Sequence, residues 1–188
     1  MSPLLTNNNI SLETKSRVLR CYVWSTLLYG SECWTITKEL QNKLEAAEMW
    51  FWRRILKISW THKISNKDVL IRAKCDRTLM ETIRKKQLEF FGHLCRKKGL
   101  EHQLLTGKIE GKRDRGRQRT TYLDSLKQLT NEKNARTLLQ KADDRESWKK
   151  LIVYVCNQIR HNNWIEYAVK FLCCLGVIKK LSARFMDR

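Results

Sequence analysis

Proline occurs once and glycine seven times in these 188 residues. That scarcity argues against collagen-like, linker-like and turn-dense all-β chains, which need both residues as punctuation. The seven cysteines have no recognisable spacing: they stand at 21, 33, 75, 95, 156, 173 and 174. A chain of this length does not need disulfides, so they read as reduced thiols of an intracellular protein. No apolar run is long enough to span a bilayer. The longest, from Trp164 to Ile178, is short and carries Glu166 and Lys170, and MSPLLTNNNISLETK at the amino terminus has no basic stretch leading into an apolar one. Neither secretion nor a membrane partner is signalled. Negative charge is scarce as well, with 19 acidic residues against 38 basic ones and a net charge of +19.

What is present is enough apolar material for a core, at 42% with seven tryptophans, and the periodicity is helical almost throughout. Residues 11–29 read as a helix closed by Gly30, followed by a turn or short strand in SECWTIT. Thr37 caps a helix whose stripe is Leu40, Leu44, Ala47, Phe51, Ile55 and Ile58. Ser65 with Asp68 and Thr78 with Glu81 fit capping boxes for helices over 66–74 and 79–98, the second ended by Gly99. Thr121 with Asp124 opens a helix through Leu129. Asn134 caps 135–142, and Asp143 or Asp144 caps 145–160. After Asn163 comes another amphipathic stretch, whose pattern degrades beyond Gly176. The expected fold is an all-α, basic multi-helix bundle with one exposed basic loop and at most a short strand near 31–36. Its segments are a flexible amino terminus (1–10), a helical domain (11–106), the loop (107–119), a short helical segment (120–160) and a divergent tail (161–188).

Residues 1–60 carry a surplus of +3, 61–120 of +10 and 121–188 of +6. A patch as basic as the middle third repels itself unless a polyanion neutralises it, and nucleic-acid phosphates are the common intracellular polyanion. Lysines and arginines that merely solvate helix faces are the plainer alternative. Within that third, GKIEGKRDRGRQR (107–119) has three glycines, no aromatic residue and six cations. Its Arg115-Gly116-Arg117 resembles the centre of an AT-hook, but Gln118 replaces the proline that would pre-set an extended shape, so a phosphate-gripping loop is the better reading. Five tryptophans (24, 34, 50, 52 and 60) are interleaved with Arg53, Arg54 and Lys57. Most are core material; Trp50, off the main stripe, is the exception that could stack a base. His93 is either a satisfied helix residue or a phosphate contact beside Arg96, Lys97 and Lys98. The candidate nucleic-acid-binding residues are Arg53, Arg54, Lys85, Lys86, His93, Arg96, Lys97, Lys98, Lys108, Lys112, Arg113, Arg115, Arg117 and Arg119.

No catalytic constellation emerges. The Asp143-Asp144 pair sits at a predicted helix start with no apolar strand before it, unlike a two-metal site. Gly107 and Gly111-Lys112 fall one residue short of a phosphate loop, and Arg113 replaces its Ser or Thr. Cys75, His93, Cys95 and His102 form no zinc-ligand spacing. No catalytic residue, metal or cofactor is therefore assigned.

Three strings together resemble a known family: YVWSTLLYGSECWTITKELQNKLEAAEMWFWRRILKI, LIRAKCDRTLMETIRKKQLEFFGHLCRK and LLTGKIEGKRDRGRQRTTYLDSL. They look like the carboxy-terminal region of reverse transcriptases from LINE-type non-LTR retrotransposons of the RTE and BovB group, over roughly Ser11 to Asn157. The resemblance implies a helical thumb and post-thumb region that holds template RNA and target DNA. Glu32 to Trp34, Gly92-His93 and Gly107 to Arg119 match the pattern, but none is a metal ligand in that family. Its Phe/Tyr-x-Asp-Asp hairpin and its endonuclease residues are missing from this sequence. The resemblance thus implies a truncated, non-catalytic nucleic-acid-binding fragment, with the rest of a reverse transcriptase as a partner in trans; the basic charge and the lack of a signal peptide point to the nucleus. A host-derived helical protein-interaction module and a non-functional retroelement remnant are the alternatives. Past Asn157 the resemblance fades into read-through or fused sequence.

Overall fold

The computed structural model describes residues 2–59, 61–106, 116 and 120–174, the side chains of 2, 3 and 161–174 excepted. Every regular element among them is helical. The order is α1 (Ser2–Thr6), α2 (Leu12–Val18), a π-helical stretch (Leu19–Trp24), α3 (Ser25–Leu27), a 3-10 turn (Ser31–Cys33), α4 (Lys38–Ile55), α5 (Asn66–Ala73), α6 (Leu79–Lys97), α7 (Leu100–Thr106), α8 (Tyr122–Thr130), α9 (Ala135–Asp143) and α10 (Arg145–Cys174).

Most helix starts follow local chemistry. Thr37, Ser65 and Thr121 accept from the backbone N–H three residues on, and Asp124 returns the bond to complete a box at α8; each satisfies an otherwise orphaned donor. Thr78 departs from the expected capping box and makes no side-chain cap bond. Glu48 of α4 replaces it, its Oε1 accepting from Thr78 N at 3.1 Å and Leu79 N at 3.2 Å. Glu81 is instead engaged by Arg160 through two nitrogens, at 2.9 and 2.6 Å.

The helix ends are less conventional. Gly30 takes the expected left-handed conformation (φ 66°), but α4, α5 and α6 stop at Lys57, Lys74 and Lys98, with φ of 55°, 51° and 51°. After α4, Lys57 N donates to Arg54 O and Ile58 N to Arg53 O, at 3.3 and 2.9 Å. This is a Schellman closure with lysine where glycine is usual. The left-handed stop leaves Ile58 outside the helix and removes it from the expected stripe. Likewise Lys98, not Gly99, ends α6, and Gly99 O instead starts α7, a helix the pattern did not suggest.

Of the two alternatives for SECWTIT the turn is the one formed: a 3-10 turn runs into extended chain, and Gln87 Nε2 donates to the carbonyls of Ser31 and Trp34, at 3.4 and 2.7 Å. Near the amino terminus, α1 places Leu5 in the core. No break occurs near Asn163, since α10 is continuous to Cys174.

Two apolar clusters share α6. Leu79, Met80 and Ile83 join Leu19, Trp24, Leu44, Trp52, Ile55 and Val69 in the first. Leu88, Phe91 and Cys95 join Leu126, Leu138, Trp148, Ile152 and Val155 in the second. Between them lies a polar layer. Arg84 Nη1 donates to Gln87 Oε1 (3.2 Å) and Ser125 Oγ (3.3 Å), and Tyr122 Oη donates to Gln87 O (3.2 Å). Burial lowers the Arg84 pKa, because charge is disfavoured away from water. In the second cluster Trp148 Nε1 donates to Leu88 O at 2.9 Å. The indole lies directly over Gly92, where an added Cβ would stand 2.5 Å from its Cδ1.

Candidate nucleic-acid interface

The last turn of α4 and the chain after it build a groove of about 390 Å³ lined by Thr6, Arg53, Arg54, Lys57, Ile58 and Ser59. Arginines there follow from helix chemistry, because cations favour the negative end of the dipole. Arg53 Nη2 donates to Ile64 O at 2.7 Å and Asn66 Oδ1 at 2.9 Å, tying the loop before α5 to α4. Lys57 Nζ donates to Asn8 Oδ1 at 2.5 Å, which brings the chain after α1 to the same edge. These acceptors are neutral oxygens, so the bonds position the two cations without cancelling their charge. One turn back on the same face, Trp50 is 58% exposed. Its ring meets Phe51 edge-on at 5.0 Å, and Phe51 meets the buried Trp24 at 5.8 Å.

The remaining described candidates lie along α6. Lys85 pairs loosely with Glu89 at 3.9 Å, and Lys86 donates to Leu28 O at 3.4 Å. Arg96 Nη1 donates to Ala142 O at 2.9 Å, a structural link to the end of α9. Lys97 pairs with Glu101 at 3.7 Å across the α6–α7 junction. His93 is exposed, and Lys98 is the left-handed stop. The structure therefore gathers Arg53 and Arg54 with Lys57 at one groove and leaves the His93 to Lys98 set beside the second core. Lys108, Lys112, Arg113, Arg115, Arg117 and Arg119 lie outside the described residues, as does Trp60. Lys57 was not among the candidates; its signal was its place one turn beyond Arg53 and Arg54.

Asp144, Asp124 and Glu48 serve local structure. Asp144 caps α10 by accepting from Glu146 N at 3.1 Å, Ser147 N at 3.4 Å and the Ser147 hydroxyl, and these bonds, the hydroxyl's foremost, lower its pKa. Asp124 is held down to about 2 by Lys127 and by its capping bonds with Thr121. Glu48, which caps α6, shifts the other way: it is 1% exposed and burial raises its pKa against the pull of its two backbone donors, while its Oε2 has no hydrogen-bond partner. The zinc candidates are separated, with Cys75 packed against the first core and Cys95 buried in the second. Among the described residues no group of three or more metal-ligating side chains occurs, and no helix is long and apolar enough to cross a membrane.

Comparison with protein-family models, with curated proteins and with solved structures finds no match to this chain.

Proposed function

We propose that these residues form a helical nucleic-acid-binding unit of a LINE-type reverse transcriptase, gripping phosphates of template RNA or target DNA and contributing no polymerase chemistry of their own. The observation that carries this reading is the charge imbalance. Even if every one of the 19 acidic side chains were paired, 19 of the 38 cations would remain unneutralised, a surplus suited to a polyanion. The use of the Asp124, Asp144 and Glu48 carboxylates in helix caps supports the same reading, since these acids already have structural work. The family assignment rests on the ordered sequence resemblance.

Salt titration of binding to duplex DNA and duplex RNA is the test. Neutralising about six phosphates gives a log–log slope near −5, and replacing Arg113, Arg115, Arg117 and Arg119 with alanine flattens it. Absence of binding at low salt refutes the binding reading, and magnesium-dependent primer extension refutes the non-catalytic one. A protein-interaction module is the second reading, favoured by Leu100 and Leu104, both exposed one turn apart on α7. A partner complex that survives nuclease treatment would support it.

A further inference from the structure

We infer that the groove at the end of α4, with Trp50 behind it, takes an unpaired nucleic-acid strand: a phosphate lies among Arg53, Arg54 and Lys57, and a neighbouring base lies against the Trp50 indole. The inference rests on the nucleic-acid reading above and narrows it to single strands. Its first support is the groove's chemistry. Three cations and the hydroxyls of Thr6 and Ser59 line it, which suits an anion with several acceptor oxygens. Arg53 and Lys57 are positioned by neutral acceptors, Ile64 O, Asn66 Oδ1 and Asn8 Oδ1, which hold them in place without adding a negative charge.

The second support is backbone conformation. Lys57 occupies a left-handed position (φ 55°) that glycine would adopt without strain. Lys74 and Lys98 share this conformation at other helix ends; what is particular to Lys57 is that the same turn sets its ammonium on the groove wall, held by Asn8. The third is Trp50, exposed on the α4 face that carries Arg54 one turn on. Bases inside a duplex have both faces covered by their neighbours, so an indole on the protein surface gains a stacking partner only from an unpaired base.

The test compares binding of a roughly 12-nucleotide oligothymidylate with that of a blunt duplex across a salt series, a length within single-strand site sizes. Trp50→Ala is expected to weaken oligothymidylate binding roughly 5- to 100-fold and to leave duplex binding within about twofold. Lys57→Gly is expected to flatten the oligothymidylate slope by about 0.7 while the melting temperature holds or rises. Lys74→Gly, which relieves the same backbone strain away from the groove, should match its thermal effect and leave the slope unchanged. Equal losses on both probes for Trp50→Ala, or an unchanged slope for Lys57→Gly, overturn the inference while leaving the broader reading intact. A wild-type protein that binds neither probe overturns both.

Discussion

Replacing Gly92 with alanine should destabilise the protein, although alanine is the better helix former. In an open helix the change would contribute about 1 kcal/mol of stability. Here the new methyl would stand 2.5 Å from Trp148 Cδ1 and closer still to Nε1. Trp148 is 1% exposed and is fixed by its bond to Leu88 O. Overpacking a close-packed core costs about 1–3 kcal/mol, and displacing the indole leaves a buried donor unpaired at about 1–3 kcal/mol more. Set against the propensity gain, the net loss is about 3 kcal/mol. For a chain of this size that corresponds to a melting temperature lower by roughly 6–12 °C. Urea unfolding followed by tryptophan fluorescence should show a lower midpoint with an unchanged slope. In a Trp148→Leu background, the Gly92→Ala penalty should shrink by at least about 1 kcal/mol, because the two sites are in contact. A Gly92→Ala protein as stable as wild type, or more so, would refute the packing argument.

Glu48 makes stability depend on pH in the direction opposite to ordinary surface carboxylates. Burial raises its folded pKa above the usual 4.5, so the folded state retains a proton that the unfolded chain has released. Its contribution is full below about pH 4.5 and is lost as pH rises through the folded value. Glu48→Gln should remove that decline from a series of urea curves taken between pH 4 and neutrality; an identical decline in the variant would assign it elsewhere. Thiol reactivity should divide the described cysteines. Cys21 and Cys33 are exposed, whereas Cys95 is buried and its pKa is pushed up to about 12 by burial, with Asp143 adding to the effect. Under native conditions a maleimide should label the first two well before Cys95, as read by peptide mass spectrometry, and equal rates would contradict the burial.

Legibility in the sequence tracked the distance over which each decision is made. Thr37, Ser65 and Thr121 were readable as caps because the donor lies three residues away. The cap of α6 was not, because Glu48 reaches it from 30 residues upstream. The stops of α4 and α6 differ from the expectation because a lysine, despite its backbone penalty, occupies the position normally left to glycine, whereas α5 ends where its pattern places it. Trp50 could be marked as exposed because it falls off the apolar stripe, and it is. Lys57 was missed as a groove residue, since its placement depends on a Schellman closure and on Asn8. What Gly92 accommodates, an indole 56 residues later, is beyond any local pattern.

The single 19-residue helix α6 contributes to both apolar clusters, its first turns to one and its later turns to the other, and this gives the helix a mechanical part in the molecule. Heat or tension that loosens one cluster acts on the same hydrogen-bond ladder that organises the other, and the rigid rod offers no hinge where the two could part. The described chain should therefore melt as one cooperative unit, with the polar layer at Arg84 and Gln87 holding the two clusters in register while they come apart together.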